Sequence, residues 1–245
     1  MGSQGMSIDA RLASALGGKF LVFDGPDGSG KSTQIARFIR ACDRARLAVT
    51  HVRDPGGTEV GERIREVLLE RHDEPVAPVC EMLLYMASRA HLVAQRIRPA
   101  LEAGSLVVSD RFVASTLAYQ GTAGGVARED ILRVASIACA GVVPDLTVIF
   151  DVSRDAAAAR LGGTRKAARS GHEPGLFGDR MEDKAEVFHR RVREGYLDLA
   201  RADPEGVLLV DGSGTEDHVG DLLSEGLAAR LIDPDRTDPG DGANP

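Results

Sequence analysis

Short apolar runs recur along the chain at intervals that a helix would fill. Residues 20–23, 47–52, 105–109, 146–150 and 207–210 are such runs, each bounded by polar residues or glycine. Runs of this length read as buried parallel strands. Between them apolar residues recur with helical spacing over 31–44, 79–102, 128–140, 184–201 and 216–231. Thr58 is a good N-cap for a further helix reaching about residue 71, and Gly104 closes the long one. Residues 11–16 read as a helical or frayed lead-in, residues 155–161 as a short helix, and helical patterning also runs through Tyr119. Strands alternating with helices predict an α/β fold with a doubly wound parallel sheet, ligands gathering at the carboxyl ends of the strands. The polar groups at those ends are Asp24, Asp27, Arg53, Asp54, Asp110, Arg111 and Asp151. Two stretches escape the alternation. Residues 162–178, rich in glycine and cations, are expected to be mobile, and residues 233–245, without an apolar anchor, to be disordered.

Composition changes this picture little. At 245 residues and 43% apolar, the chain suits one soluble domain, and no apolar run is long enough to span a membrane. The net charge of −7 argues against a general nucleic-acid binder. Cys42, Cys80 and Cys139 show no CxxC pairing and read as small core residues in a reducing compartment, so the expected location is cytoplasmic. Residues 1–5 lack the architecture of a signal peptide and read as an expression scar ahead of Met6. The expected organisation is an extension or tag over 1–18, one domain over 19–232, and the tail.

Chemistry enters after the first strand. Gly25-Pro26-Asp27-Gly28-Ser29-Gly30-Lys31-Ser32-Thr33 fits the pattern of glycine, four residues, then Gly-Lys-Ser. Glycines let the backbone wrap an anion with successive N–H groups, and the following helix presents its positive end. Lys31 can reach the outer phosphates, and the Ser32 hydroxyl can ligate Mg²⁺. These residues predict binding of a nucleoside triphosphate. Asp110, at the end of an apolar strand, is placed to hold Mg²⁺ directly or through water, and Arg111 offers a fork for a phosphate. An Asp–Arg pair capping a strand end is the ordinary alternative.

Ser115, Thr116, Tyr119 and Gln120 share one broad helical face. Gln120 can donate and accept at once, which suits a pyrimidine edge, and Tyr119 can pack on a sugar and exclude a 2′-hydroxyl; a solvated helix end leading into Gly121 is the alternative. Tyr85 and Arg89, one turn apart, offer a ring for a base and a donor for a carbonyl; a core tyrosine with a surface arginine is the alternative. Arg53 is a further cation near the strand ends, or an ordinary surface charge. The phosphate loop interior holds no cation, so charge neutralisation must come from elsewhere; Arg165, Lys166, Arg169 and Arg180 make the loop a candidate flap. The histidines show no metal-binding pairing.

Together these residues resemble the thymidylate kinase family. The resemblance is carried by FDGPDGSGKSTQ, RDPGGT, LLYMASRAHLV, SDRFVASTLAYQG, PDLTVIFDVS and DRMEDKAEVFHRRVREGYLDLA. It implies a P-loop NTPase fold, a five-stranded parallel sheet flanked by helices on both faces with a lid over about 162–182, and a homodimer. It implies that ATP and dTMP are the substrates, with Mg²⁺ near Ser32 and Asp110. Tyr85 would stack on thymine, Arg89 and Gln120 would read its edge, and Ser115 and Thr116 would line the pocket. Tyr119 would sit by the deoxyribose, Arg53 and Arg111 would hold the acceptor phosphate, and Asp27 would lie near it. The sequence resembles members that take the catalytic arginine from the lid, making Arg165 and Arg169 the candidates. Asp24 and Asp54 stand where the family more often has Glu, and Ala114 replaces a side chain that is often polar. A kinase for another monophosphate such as dUMP, and an ATP-binding switch or assembly subunit, remain the competing readings.

Overall fold

The computed structural model describes residues 6–70, 72, 74–153, 156–157, 160 and 186–232. The expected lid with Arg165, Arg169 and Arg180, and the tail, lie outside the described residues.

Strands β1 (Phe20–Asp24), β2 (Val49–Arg53), β3 (Leu106–Asp110), β4 (Leu146–Asp151) and β5 (Val207–Asp211) form one sheet in the order β2-β3-β1-β4-β5, every pair parallel. The first two connections leave β1 for β2 and return through β3 to its side, so the chain reverses direction of travel beside β1. That is where an open α/β sheet opens a crevice for ligand.

The helices are α1 (Ala10–Leu16), α2 (Lys31–Arg44), α3 (Glu59–Leu69), α4 (Pro78–Leu92), α5 (Arg98–Glu102), α6 (Val113–Thr116), α7 (Arg128–Cys139), α8 (Glu186–Ala202) and α9 (Glu216–Leu231). A wider π turn, Val93–Ile97, joins α4 to α5, and another, Leu117–Ala123, continues α6. Thr58 caps where the sequence placed it, and Asp9 adds a cap that patterning did not single out. Thr58 accepts from the Gly61 amide at 3.0 Å, and Asp9 accepts from Leu12 at 2.8 Å, so the lead-in is a capped helix.

The pleat sorts the strand residues between two layers. Leu21, Phe23, Leu106 and Val108 pack with Phe38 of α2, Leu16 of α1 and Leu223 of α9. Phe20, Val22 and Val107 turn the other way, onto Leu92, Val93 and Ile97 around the first π turn. Alternation of this kind requires apolar residues on both faces, hence the unbroken apolar runs.

Four corrections to the sequence expectations concern boundaries. Each strand ends one residue later than its apolar run, because Asp24, Arg53, Asp110, Asp151 and Asp211 keep the backbone pairing. β2 begins at Val49 rather than Leu47, the long helix is interrupted by a π turn, and the helix begun at Thr58 stops at Leu69. A fifth concerns the cysteines: Cys42 and Cys139 are buried, but Cys80 is exposed on the first turn of α4.

Candidate functional site

β1 runs directly into the loop 25–30, which wraps onto the start of α2. Gly25 (φ 137°) and Gly28 (φ 78°) take backbone angles that disfavour a side chain. A Cβ on Gly25 would sit 2.5 Å from the Phe150 carbonyl oxygen, and one on Gly28 would sit 2.8 Å from that of Ala157. The loop is therefore pressed between β4 and the segment after it, and within it the Gly25 amide donates to the Asp24 carboxylate at 2.9 Å and the Ser29 amide to the Pro26 carbonyl at 3.2 Å. α2 starts at Lys31 with no side-chain cap, leaving its first amides for an anion.

Lys31 is buried, and its ammonium pairs with Asp110 at the end of β3. Burial alone would raise the Asp110 carboxyl, but Lys31 and Arg111 beside it hold it below its ordinary value. Ser32 and Thr33 are exposed on the same first turn. One hydroxyl and one carboxylate suit Mg²⁺, which takes its remaining ligands from substrate phosphates and water. Among the described residues no group of three or more His, Cys, Asp or Glu could hold an ion by itself.

Arg111 follows in left-handed backbone (φ 71°), a strained conformation for a non-glycine residue. The Arg111 amide donates to the Phe23 carbonyl at 2.9 Å, and its own carbonyl accepts from the Ser109 hydroxyl at 2.7 Å. This turns the guanidinium inward, 3% exposed, across the mouth of the phosphate loop. Nη2 donates to Asp27 at 2.6 Å, and Nη1 to the Gly25 carbonyl at 3.2 Å and the Ser115 hydroxyl at 3.0 Å. Beneath it Asp24, fully buried, accepts from Ser115 at 2.7 Å and from Tyr196 of α8 at 2.6 Å. Burial opposes the charge on Arg111, while Tyr119, Tyr196, Asp27 and Asp24 around it keep it protonated. The guanidinium also lies 5.4 Å over the Tyr119 ring.

On the far side of Arg111, Glu81, Tyr85 and Arg89 lie at successive turns along one buried stripe of α4. Arg89 is 1% exposed, so it is no surface arginine. Its Nε donates to Asp54 at 2.5 Å, and its Nη2 to the Phe112 carbonyl and the Thr116 hydroxyl, each at 3.1 Å. Its Nη1 meets only a weak acceptor, the Met86 sulfur, at 3.0 Å. Facing the stripe, Gln120 in the second π turn donates from Nε2 to Glu81 at 3.1 Å. Burial pushes the Tyr85 and Tyr119 hydroxyls up, so both stay protonated.

Ser115, Thr116, Tyr119 and Gln120 are all buried and reach the crevice, although the wider turn replaces the regular helix on which they were placed. Ser115 joins the Asp24–Arg111–Tyr196 cluster, and Thr116 braces Arg89. Arg53 stands apart: it is half-exposed and pairs with Glu62 at 3.1 Å. Sequence reasoning missed Tyr196, Glu81 and the buried Arg65, which donates to the Pro55 carbonyl at 3.2 Å. It also missed Arg193, which forks onto Asp151 at 2.6 and 2.7 Å, and Arg160, which donates to the Gly28 carbonyl at 3.3 Å and that of Gly212 at 2.7 Å. Glu81 had a signal, a charge one turn before Tyr85 on the same stripe that carries Arg89. Tyr196 and Arg193 had none, since α8 comes to the crevice only through folding.

A family model for thymidylate kinase matches residues 23–222. The chain is 47% identical over 199 residues to a thymidylate kinase of Pelotomaculum thermopropionicum, covering 81% of this chain and 88% of the relative. It is 43% identical over 202 residues to one of Deinococcus radiodurans, covering 82% and 92%. To one of Nostoc punctiforme it is 38% identical over 217 residues, covering 88% and 98%.

Proposed function

The chain belongs to the thymidylate kinase family, and on that premise we propose that it transfers the γ-phosphoryl group of ATP to dTMP, giving dTDP and ADP. The observation that carries this reading is the second polar site beside the phosphate loop. Arg89 and Gln120 converge there along Tyr85, while Arg111 stands between that site and the loop. A protein that only binds and responds to ATP has no use for such a pocket. The switch reading is therefore not favoured.

In this reading the loop 25–30 and the first amides of α2 receive the ATP phosphates, with Lys31 exchanging Asp110 for a phosphate oxygen. The base of dTMP lies on Tyr85, its O4 accepts from Nη1 of Arg89, and its N3–H donates to Gln120. Tyr119 sits by the deoxyribose. Arg111 holds the acceptor phosphate at the mouth of the loop, steered by Asp27, with Arg53 nearby once released from Glu62. Ser115 and Thr116 support these groups rather than touch the base. A Mg²⁺ ion held through Ser32 and Asp110 would neutralise phosphate charge when bound. The acceptor oxygen is already ionised at neutral pH, the second phosphate pKa being ~6, so no general base is required. Arg165 and Arg169, in the segment assigned as lid, would close over the transferring group.

The location is proposed as cytoplasmic and the assembly as a homodimer. Val60 and Val67 on α3, with Val79 and Leu83 on α4, are half-exposed apolar residues that a second copy would cover. The testing experiment is ADP formation from ATP with dTMP, dUMP, dCMP, dGMP and AMP offered separately. Strong turnover with dTMP, weaker with dUMP and little with the rest is expected. ATP consumption indifferent to the acceptor would overturn the reading.

A further inference from the structure

We propose that Glu81 is the positioning residue that sets base specificity: it turns the Gln120 amide so that its carbonyl oxygen, and not its NH₂, meets the ligand. The inference rests on the pocket being the site of a pyrimidine monophosphate, as read above.

Glu81 and Gln120 lie on different elements, 39 residues apart in sequence, and both are buried. A primary amide can be turned either way round, with its donor and acceptor ends exchanged at almost no steric cost. A carboxylate, by contrast, only accepts. A Gln120 in contact with Glu81 must present Nε2 to it, as the 3.1 Å bond records. Its Oε1 then becomes the end offered to a ligand. Tyr85, between Glu81 and Arg89 on the stripe, feels the Glu81 charge, which places that charge beside the base platform.

The result is a reading edge of fixed polarity. Nη1 of Arg89 is a donor, and Oε1 of Gln120 is an acceptor. Thymine and uracil present the complement, a C4 carbonyl beside an N3–H. Cytosine presents an amino group beside a bare N3, and meets a donor with a donor and an acceptor with an acceptor. A buried site built for one polarity rejects the opposite one strongly, because its own polar groups are left unpaired. Arg89 cannot reverse its polarity, whereas Gln120 can. The discrimination at N3 is therefore only as good as the group that holds Gln120, and that group is Glu81.

The test is Glu81→Gln in the full chain, with kcat and KM measured for dTMP and dCMP at saturating ATP. An amide in place of the carboxylate can pair with Gln120 in either orientation. The expected outcome is a fall of about tenfold or more in the dTMP:dCMP ratio of kcat/KM, through a higher KM for dTMP and a lower one for dCMP. KM for ATP should stay within twofold. In a Gln120→Ala background the same change should leave the ratio where Gln120→Ala alone puts it. A variant that folds but keeps the wild-type ratio overturns the proposal and leaves the kinase reading intact. Wild-type protein inactive on every pyrimidine monophosphate would overturn both. Should Glu81→Gln melt early, Glu81→Asp asks the same question, since it keeps the charge but withdraws it by one methylene. A lowered ratio supports the proposal, and a retained one overturns it.

Discussion

The two halves of the crevice are built on opposite principles. The proposed phosphate side is made of backbone: glycines make the turns of the loop 25–30, the first amides of α2 have no side-chain cap, and Lys31 at the start of α2 supplies the cation. The proposed acceptor side is made of buried side chains, with Arg89, Arg111, Asp24 and Asp54 each 3% exposed or less, paired as Arg89–Asp54 and Arg111–Asp24 and otherwise bonded to hydroxyls and backbone carbonyls. Amides cost nothing extra to leave facing water until an anion arrives. A buried guanidinium is costly without its carboxylate, so the acceptor side must be complete before the ligand comes. The loop therefore depends on local sequence, and the pocket depends on the whole fold.

That contrast predicts different failures. Lys31→Ala should lower kcat by about a thousandfold or more, with dTMP affinity and melting temperature near those of wild type. Equal loss of dTMP binding, read by titration without ATP, would dissolve the distinction between the halves. Asp54→Ala should instead cost stability, about 3–5 kcal/mol, because it strands the Arg89 charge in the core. Thermal unfolding would show this as a drop of roughly 10 °C. Gln120→Ala belongs between these extremes: KM for dTMP should rise about tenfold to a hundredfold while that for ATP changes less than twofold. Similar effects on both substrates would argue against its role at the base.

The smallest effect concerns pH. The Asp110 carboxyl is held below its ordinary value in the folded protein, so its stabilisation is complete above that ordinary value and is lost as pH falls through the lower, folded one. Melting curves of wild type and Asp110→Asn taken down into that acid range should therefore converge. Parallel curves throughout would mean that the Lys31–Asp110 pair contributes nothing measurable.

The N-terminal segment shows how far patterning alone can see. Residues 11–16 offered too little periodicity to distinguish a helix from a frayed lead-in, yet Leu12, Leu16 and Met6 ahead of them are all buried in the core beside the sheet. The Arg44 guanidinium donates to the Met6 carbonyl at 2.7 Å, a contact between segments far apart in sequence. Tyr85 and Arg89 were legible as a pair because α4 repeats every turn. The same rule extended one turn earlier reaches Glu81, which reads as an ordinary helix charge until its burial is known. Arg53 showed the reverse, since proximity to a strand end did not reveal its pairing with Glu62.

The sequence by itself determined the parallel α/β architecture, the phosphate-loop motif, the strand-end carboxylates and the one-turn spacing of Tyr85 and Arg89, since each is written within one turn, one strand or one helix. The tertiary structure alone decided which of these side chains meet. Asp24 finds Tyr196 across 172 residues and Arg111 across 87, and Glu81 finds Gln120 only because α4 and the second π turn pack together. Periodicity fixes the face a residue shows, but it carries no information on what the chain folds against that face. Buried charges are settled there, by partners that only the completed fold supplies.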